Sequence, residues 1–359
     1  QFEAMASAEI GNYHQRRFEG MINLPIADDR LDIRVAGQWT KRQGYSFNET
    51  TNDRIDGRDL WSGRLSIGFK PLPNLQTTLV WEHFSEDDDR LRSAKQLCKT
   101  DTGPGPILGV EYGTGPFFGD AYFGNYQSQG CKPASFYSRE AFQAPLGYTL
   151  PYATPLYEFN LANPLNPYAN TAQSPNLHII QSLLNPIYKA KNDVVELNSD
   201  YTLTPSWTLT SQTGFSHDFL YSAEDYNRFG STPGFFDGNA QNAGTANNPA
   251  DSAAVGIAPD GTWCDPQLGC SSGLLAEDLS EEHAWQLSQE LRLASHFSGP
   301  LNFSAGGNYL HYETVEKYYV FINALTLLDS AADAQHPWVP GVFDNAFVLP
   351  LGFQYNDPR

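Results

Sequence analysis

Three histidines, His83, His217 and His311, are the residues of this sequence best suited to proton transfer, and Glu82 and Asp218 adjoin two of them. An acid beside a histidine can activate water for hydrolysis, so a protease-like site is one chemistry to weigh. The local pattern opposes it. Apolar and polar residues alternate around these positions, and neighbours in a strand point to opposite faces, so His217 and Asp218 cannot form a dyad together. The sequence has no Gly-x-Ser-x-Gly, no His-Glu-x-x-His and no Gly-rich phosphate loop. No catalytic residue, cofactor or metal-ligand set is expected.

Residues suited to binding lie elsewhere. The segment 87–192 is rich in aromatics, with Tyr112, Phe118, Tyr122, Tyr126, Tyr152 and Tyr157 as candidates to stack on a planar or sugar-like ligand. The same rings would also serve to pack a long loop on itself. The segment 223–283 carries ten acidic residues against a single arginine, Arg228. It could focus a cationic ligand or stand as a solvated loop neutralised by divalent ions. Asp237 to Asp251 is Asn- and Gly-rich but lacks calcium-loop spacing. Cys98, Cys131, Cys264 and Cys270 are even in number, as disulfides in an oxidising compartment require. Of three connectivities, Cys98–Cys131 with Cys264–Cys270 has the shortest total separation.

The elements that position these groups are strands. With 359 residues, 22 Phe, 19 Tyr, 7 Trp and only 18% charged residues, the chain has a mean hydropathy of -0.44 and nothing near the roughly 18 apolar residues in a row that a membrane helix needs. The hydrophobic period is two. Leu31, Ile33, Val35, Gly37 and Trp39 share one face while Asp32, Arg34, Gln38, Thr40 and Arg42 share the other. The pattern recurs over Trp61–Lys70, Val195–Tyr201 and Trp285–Leu293. A soluble sandwich alternates in this way too, but two features favour a transmembrane barrel. The polar faces mix charge with Gly and Ser, as a wet lumen requires. Trp39, Trp61, Trp81 and Trp285 fall at one set of strand ends and Trp207 at the other, as in an aromatic girdle.

Strands are expected at 2–10, 15–24, 31–43, 59–70, 76–86, 193–203, 207–221, 284–296 and 301–318. Short connections (25–30, 71–75, 204–206, 297–300) then alternate with the Gly-Asn-Tyr-His hairpin tip, a longer connection at about 45–58 and very long ones at 87–192 and 223–283. Outer-membrane barrels combine short periplasmic turns with long extracellular loops in this way, whereas long structureless loops are uncommon in compact soluble domains. All four cysteines fall on the long-loop side. Arg34, Arg64, Glu82, Glu196, Glu290 and Arg292 are expected to face the lumen, contacting a plug or pairing with each other across strands. A net charge of -19 opposes nucleic-acid binding.

The strands also resemble a known family. AEIGNYHQRRFEGMINLPIADDRLDIRVAGQWTKRQGY is similar to the first barrel hairpins of TonB-dependent outer-membrane receptors. DLWSGRLSIGFKPLPNLQTTL and QLSQELRLASHFSGPLNFSAGGNYL are similar to later strands of the same receptors, notably of alphaproteobacterial type. The resemblance covers nearly all expected strands and almost none of the long loops. It implies a location in the bacterial outer membrane, contact with its lipid and lipopolysaccharide, and import of a scarce nutrient, such as a siderophore, another metal chelate, an oligosaccharide or an aromatic compound. It also implies a 22-strand barrel with a plug through which a TonB-type protein supplies energy. Plug and C-terminal strands have no counterpart here, so residues 1–359 are expected to form a partial, all-β antiparallel barrel within a longer protein, with a further long loop at about 319–359. The sequence opens at Gln1 with no charged n-region or apolar h-region, consistent with processing or with a parent chain. A small barrel carrying a rim enzyme or an adhesin is the alternative.

Overall fold

The structure is a computed structural model and describes residues 1–27, 30–103, 114–115, 118–119, 129–146, 168, 171–231 and 262–323. Nine long strands build one antiparallel sheet: β1 (Glu3–Gly11), β2 (Gln15–Ala27), β3 (Leu31–Arg42), β4 (Arg58–Leu72), β5 (Leu75–Asp88), β6 (Ile187–Thr204), β7 (Trp207–Asp225), β8 (Ala276–Ser295) and β9 (Ser304–Ile322). Each pairs with the next in chain order, a nine-strand meander from β1 to β9. Register carries the alternation across the sheet without a slip of face. Val35 lies opposite Leu65, Leu65 opposite Trp81, Trp81 opposite Val195, Val195 opposite Phe215 and Phe215 opposite Leu287.

The apolar face is uncovered. Trp61 (46%), Trp81 (43%), Leu197 (41%) and Phe215 (41%) all keep large exposed areas, forming a contiguous patch far larger than a water-soluble monomer tolerates. The band runs from the Trp39–Trp61 pair, which are direct cross-strand partners, to the Leu31–Phe69 pair eight residues away. That is roughly 27 Å of strand, or about 20 Å of height at the tilt usual for barrels. Trp207 marks the opposite rim, edge-on to Phe297 at 5.2 Å.

The strands are longer at one end than their alternation suggests. β6 begins at Ile187 rather than 193, β7 ends at Asp225 rather than 221, and β8 begins at Ala276 rather than 284. These extensions carry Glu224, Glu277, Asp278 and Glu281, which read as loop in sequence but are buried in the sheet. The buried side chains concentrate there, where Tyr221, Ala223 and Leu279 pack with Phe219, Tyr319 and Phe321. The long connections also contain structure of their own. Ser46–Asn48 pairs with Asp53–Ile55 and, in parallel, with Ile179–Ile180, so the 43–57 loop and the end of the 89–186 loop share one small sheet.

Both disulfides join the cysteines expected, Cys98 to Cys131 and Cys264 to Cys270. Cys98 is fully buried and its neighbours are tied together: Cys98 N–H donates to Ala141 O (2.7 Å), and Gln143 N–H to Cys98 O (2.9 Å). Asp101 accepts from Gln129 N–H at 3.0 Å and pairs with Lys132 at 2.9 Å, contacts that hold its carboxyl below the usual carboxylate range. Closing a loop of 33 residues removes about 3–4 kcal/mol of unfolded-state entropy. Replacing Cys98 and Cys131 together by serine is therefore expected to speed proteolytic cutting between them at least ten-fold while the nine strands stay resistant. Unchanged cleavage rates would refute this role.

Candidate functional site

The polar face of the sheet carries local depressions, and the six charged residues expected on it all lie there by register. Arg64 pairs with Glu82 on the neighbouring strand at 2.8 Å, and Arg292 with Glu290 two residues away at 3.8 Å. Arg34, Arg64 and Glu82 line one depression of about 370 Å³ with Glu19 and Gln38. Glu196 and Glu290 line a second, of about 410 Å³, with Gln212 and Asn308. The first is lined by both signs of charge, the second by carboxylates and amides.

Beyond the apolar band, the segment after β5 turns across this face. Arg90 lies over the Tyr188 ring on β6 at 5.0 Å, and Arg92 reaches β8, donating to Asp278 at 2.6 Å and approaching Glu224 on β7 at 3.8 Å. Arg228 approaches Glu224 from its other side at 3.4 Å. Behind the strap, Asp56 takes Arg58 at 2.9 Å and Leu91 N–H at 3.3 Å, while Gly57 N–H donates to Asp89 at 2.6 Å. A Cβ at Gly57 would stand 2.6 Å from that Asp89 oxygen and 3.1 Å from Arg42 O, so a larger residue there would push the Asp89 carboxylate aside. Lys95 then donates to Ile179 O at 2.6 Å. Residues 89–97 are thus a strap pinned across four strands, its arginines half exposed and their carboxylate partners buried.

The electrostatics of the strap follow from that burial. Glu224 lies seven residues past the rim residue His217, about 23 Å further along the strand. Burial pushes its carboxyl up to about 6, against the pull of Arg228 and Arg92. Its neighbour Asp225 is on the opposite face and is also raised by burial, although it accepts from Leu183 N–H (2.8 Å), Asn227 N–H (2.9 Å), Arg228 N–H (3.1 Å) and Ser182 Oγ (3.1 Å).

The histidines fall on the apolar face, opposite the carboxylates beside them in sequence. His83 instead meets Asp193, its cross-strand partner on β6, at 2.8 Å, and the Trp61 ring at 4.6 Å. His217 lies on the other side of Asp193, and His311 lies against Trp285 at 4.7 Å. Asp218, on the polar face, accepts from Asn192. The His83–Asp193 pair was missed in sequence because its members are 110 residues apart.

Of the loop aromatics, Tyr112, Tyr122, Tyr126, Tyr152 and Tyr157 lie outside the described residues. Phe118 belongs to a two-residue strand that pairs with Thr114–Gly115; its side chain is likewise not described. The Arg92–Glu224–Asp278 network had only one sequence signal, the density of charge in stretches that read as loops.

No protein-family model and no curated protein matches the chain. Among solved structures it is similar to FpvAI in complex with pyocin S2, at 9% identity over 88% of this chain and 29% of that one, with a TM-score of 0.44. It is also similar to the ferric yersiniabactin uptake receptor FyuA from Yersinia pestis, at 11% identity, 88% and 32% coverage and a TM-score of 0.42. A third is the ferric-catecholate import receptor Fiu from E. coli K12, at 11% identity, 89% and 35% coverage and 0.44. The chain spans about a third of the length of these structures.

Proposed function

We propose that this chain is an arc of the wall of a bacterial outer-membrane receptor that imports a scarce nutrient. The observation that carries the reading is the contiguous, exposed apolar band, bounded by tryptophans, on one face of a sheet whose other face is charged. Water would not tolerate the band, and lipid would not tolerate the free backbone groups of a sheet edge. The sheet is therefore read as part of a closed barrel, in which β1 and β9 pair with further strands. The long connections face outward, where two disulfides and the pinned strap stiffen the mouth. In this reading lipid and lipopolysaccharide cover the apolar band. Arg34, Arg64, Glu82, Glu196, Glu290 and Arg292 face a plug that a TonB-type protein would energise. The His83–Asp193 pair lies at the lipid rim, away from the lumen, which leaves the alternative of a rim hydrolase without a site on the polar wall.

Adjacent residues on opposite faces supply the test. Leu197 lies near the middle of the apolar band and Asn198 faces the polar side. In the full-length protein, Leu197→Arg is expected to cost roughly 2–4 kcal/mol and to reduce heat-resistant, membrane-assembled protein several-fold, whereas Asn198→Arg should assemble normally. Equal tolerance of both, or loss from Asn198→Arg alone, would reverse the assignment of faces and refute the membrane reading.

A further inference from the structure

A third depression on the polar wall, of about 340 Å³, differs chemically from the other two. It lies between the apolar-band level and the strap, spanning β5 to β9. Phe84 on β5 stands at one end and Tyr312 on β9 at the other, four strand spacings apart, roughly 19 Å around the wall. Both are aromatic residues at positions where the alternation calls for polar ones. Between them, Ala284 and its neighbours form an apolar floor, with Asn192, Asp218 and Glu282 along it. Lys191 contributes backbone only, because its side chain projects to the opposite face.

The polar groups are partly committed and partly free. Asn192 donates its amide to one Asp218 oxygen, and Thr314 donates to one Glu282 oxygen at 3.2 Å. Each carboxylate keeps an oxygen for a ligand, and among the described residues neither Asp218 nor Glu282 is in an ion pair. By contrast, the first depression sets Arg64 against Glu82, and in the second Glu290, though not Glu196, is paired with Arg292. Two uncompensated carboxylates repel an anionic ligand. Acceptors aligned along an apolar floor, with rings at its two ends, match a chain of hydroxylated rings: C–H faces pack on the aromatics and hydroxyls donate to the carboxylates. A small cation would be held by aromatics converging on one point, and these two rings are far apart.

We infer that this groove is a binding subsite for a neutral oligosaccharide, of about two or three sugar units, on the lumen wall just inside the strap. The inference rests on the reading of the polar face as a receptor lumen and names the class of its cargo. The strap lies about four residues further out, at the Tyr188 level, so a sugar chain in the groove would be roofed at its outer end by Arg90 and Arg92.

The test is retention of the full-length protein, in detergent after membrane assembly, on an array of neutral glycans, acidic glycans and immobilised spermine. Neutral glycans are expected to be retained. Phe84→Leu, Tyr312→Ala and Asp218→Asn should each weaken retention about ten-fold (about 1.4 kcal/mol), and Gln212→Ala in the second depression should not. Assembled protein that retains no neutral glycan, prefers spermine or acidic glycans, or binds neutral glycans equally well in all four variants overturns the inference while leaving the receptor reading intact. Failure of the wild-type protein to assemble in membranes overturns both.

Discussion

Replacing Arg92 with alanine is expected to detach the strap from the polar wall and to lower its local stability by about 3–5 kcal/mol, the cost of leaving the buried Asp278 carboxylate without its cation and Glu224 with Arg228 alone. Arg92 holds Asp278 at 2.6 Å and Glu224 at 3.8 Å, and both carboxylates are almost wholly buried. Removing the arginine leaves like charges facing each other across β7 and β8. Lys would not substitute well, because one guanidinium serves acids on two strands. Hydrogen exchange of amides 89–97 measures the effect, and protection unchanged from wild type would exclude the strap's dependence on this network.

The effect should depend on pH in a definite direction. Glu224 has its carboxyl raised from 4.5 to about 6, principally by burial. A raised folded-state value means that the protonated form is favoured in the folded protein. The corresponding stability is fully present below about pH 4.5 and is lost as pH rises through about 6. The difference is about 2 kcal/mol. Acidifying the wild-type protein through this window should therefore tighten the Glu224 region, and Glu224→Gln should flatten the dependence. The Arg92→Ala penalty should be largest above pH 6, where Glu224 is charged, and smaller near pH 5. A penalty that grows on acidification would contradict the assignment.

The second large effect is expected at Asp225. Its carboxylate is fully buried and takes three backbone N–H groups and the Ser182 hydroxyl. Asp225→Ala strips Leu183, Asn227 and Arg228 of their acceptor in a place water does not reach, at about 1–3 kcal/mol for each orphaned donor. A total near 4 kcal/mol, after relaxation, is expected. Ser182 is also held by Asn48, which accepts from its N–H at 3.1 Å and donates to its carbonyl at 2.9 Å. Losing Asp225 should thus loosen the junction between the 43–57 loop and the start of β6, while strand amides within the apolar band keep their protection. Proteolysis resolved by mass spectrometry distinguishes the two regions. Cleavage near 182–185 no faster than in wild type would show that Asn48 alone holds the turn.

Sequence alone determined the parts of this protein that depend on neighbours along the chain. Alternation with period two is local, so it assigned Leu31, Trp61, Val195 and Leu287 to one face and Arg34, Arg64, Glu196 and Glu290 to the other, and the register preserves both sets. The asymmetry of connections followed from counting residues between strands, and the cysteine pairing from the shortest loops. Only the tertiary structure decided the rest. Glu224, Asp278 and Glu281 are charged, so their sequence reads as solvated loop. Their burial in strands depends on partners such as Arg92, 186 residues from Asp278. The histidines were visible as possible proton carriers, yet only the register gave His83 its true partner, Asp193. The groove between Phe84 and Tyr312 is assembled from five strands, and no stretch of sequence contains it. The physical division is one of range. The side to which a side chain points is fixed by its own backbone, whereas the charge, ring or carbonyl it meets is fixed by loop closures of a hundred residues or more.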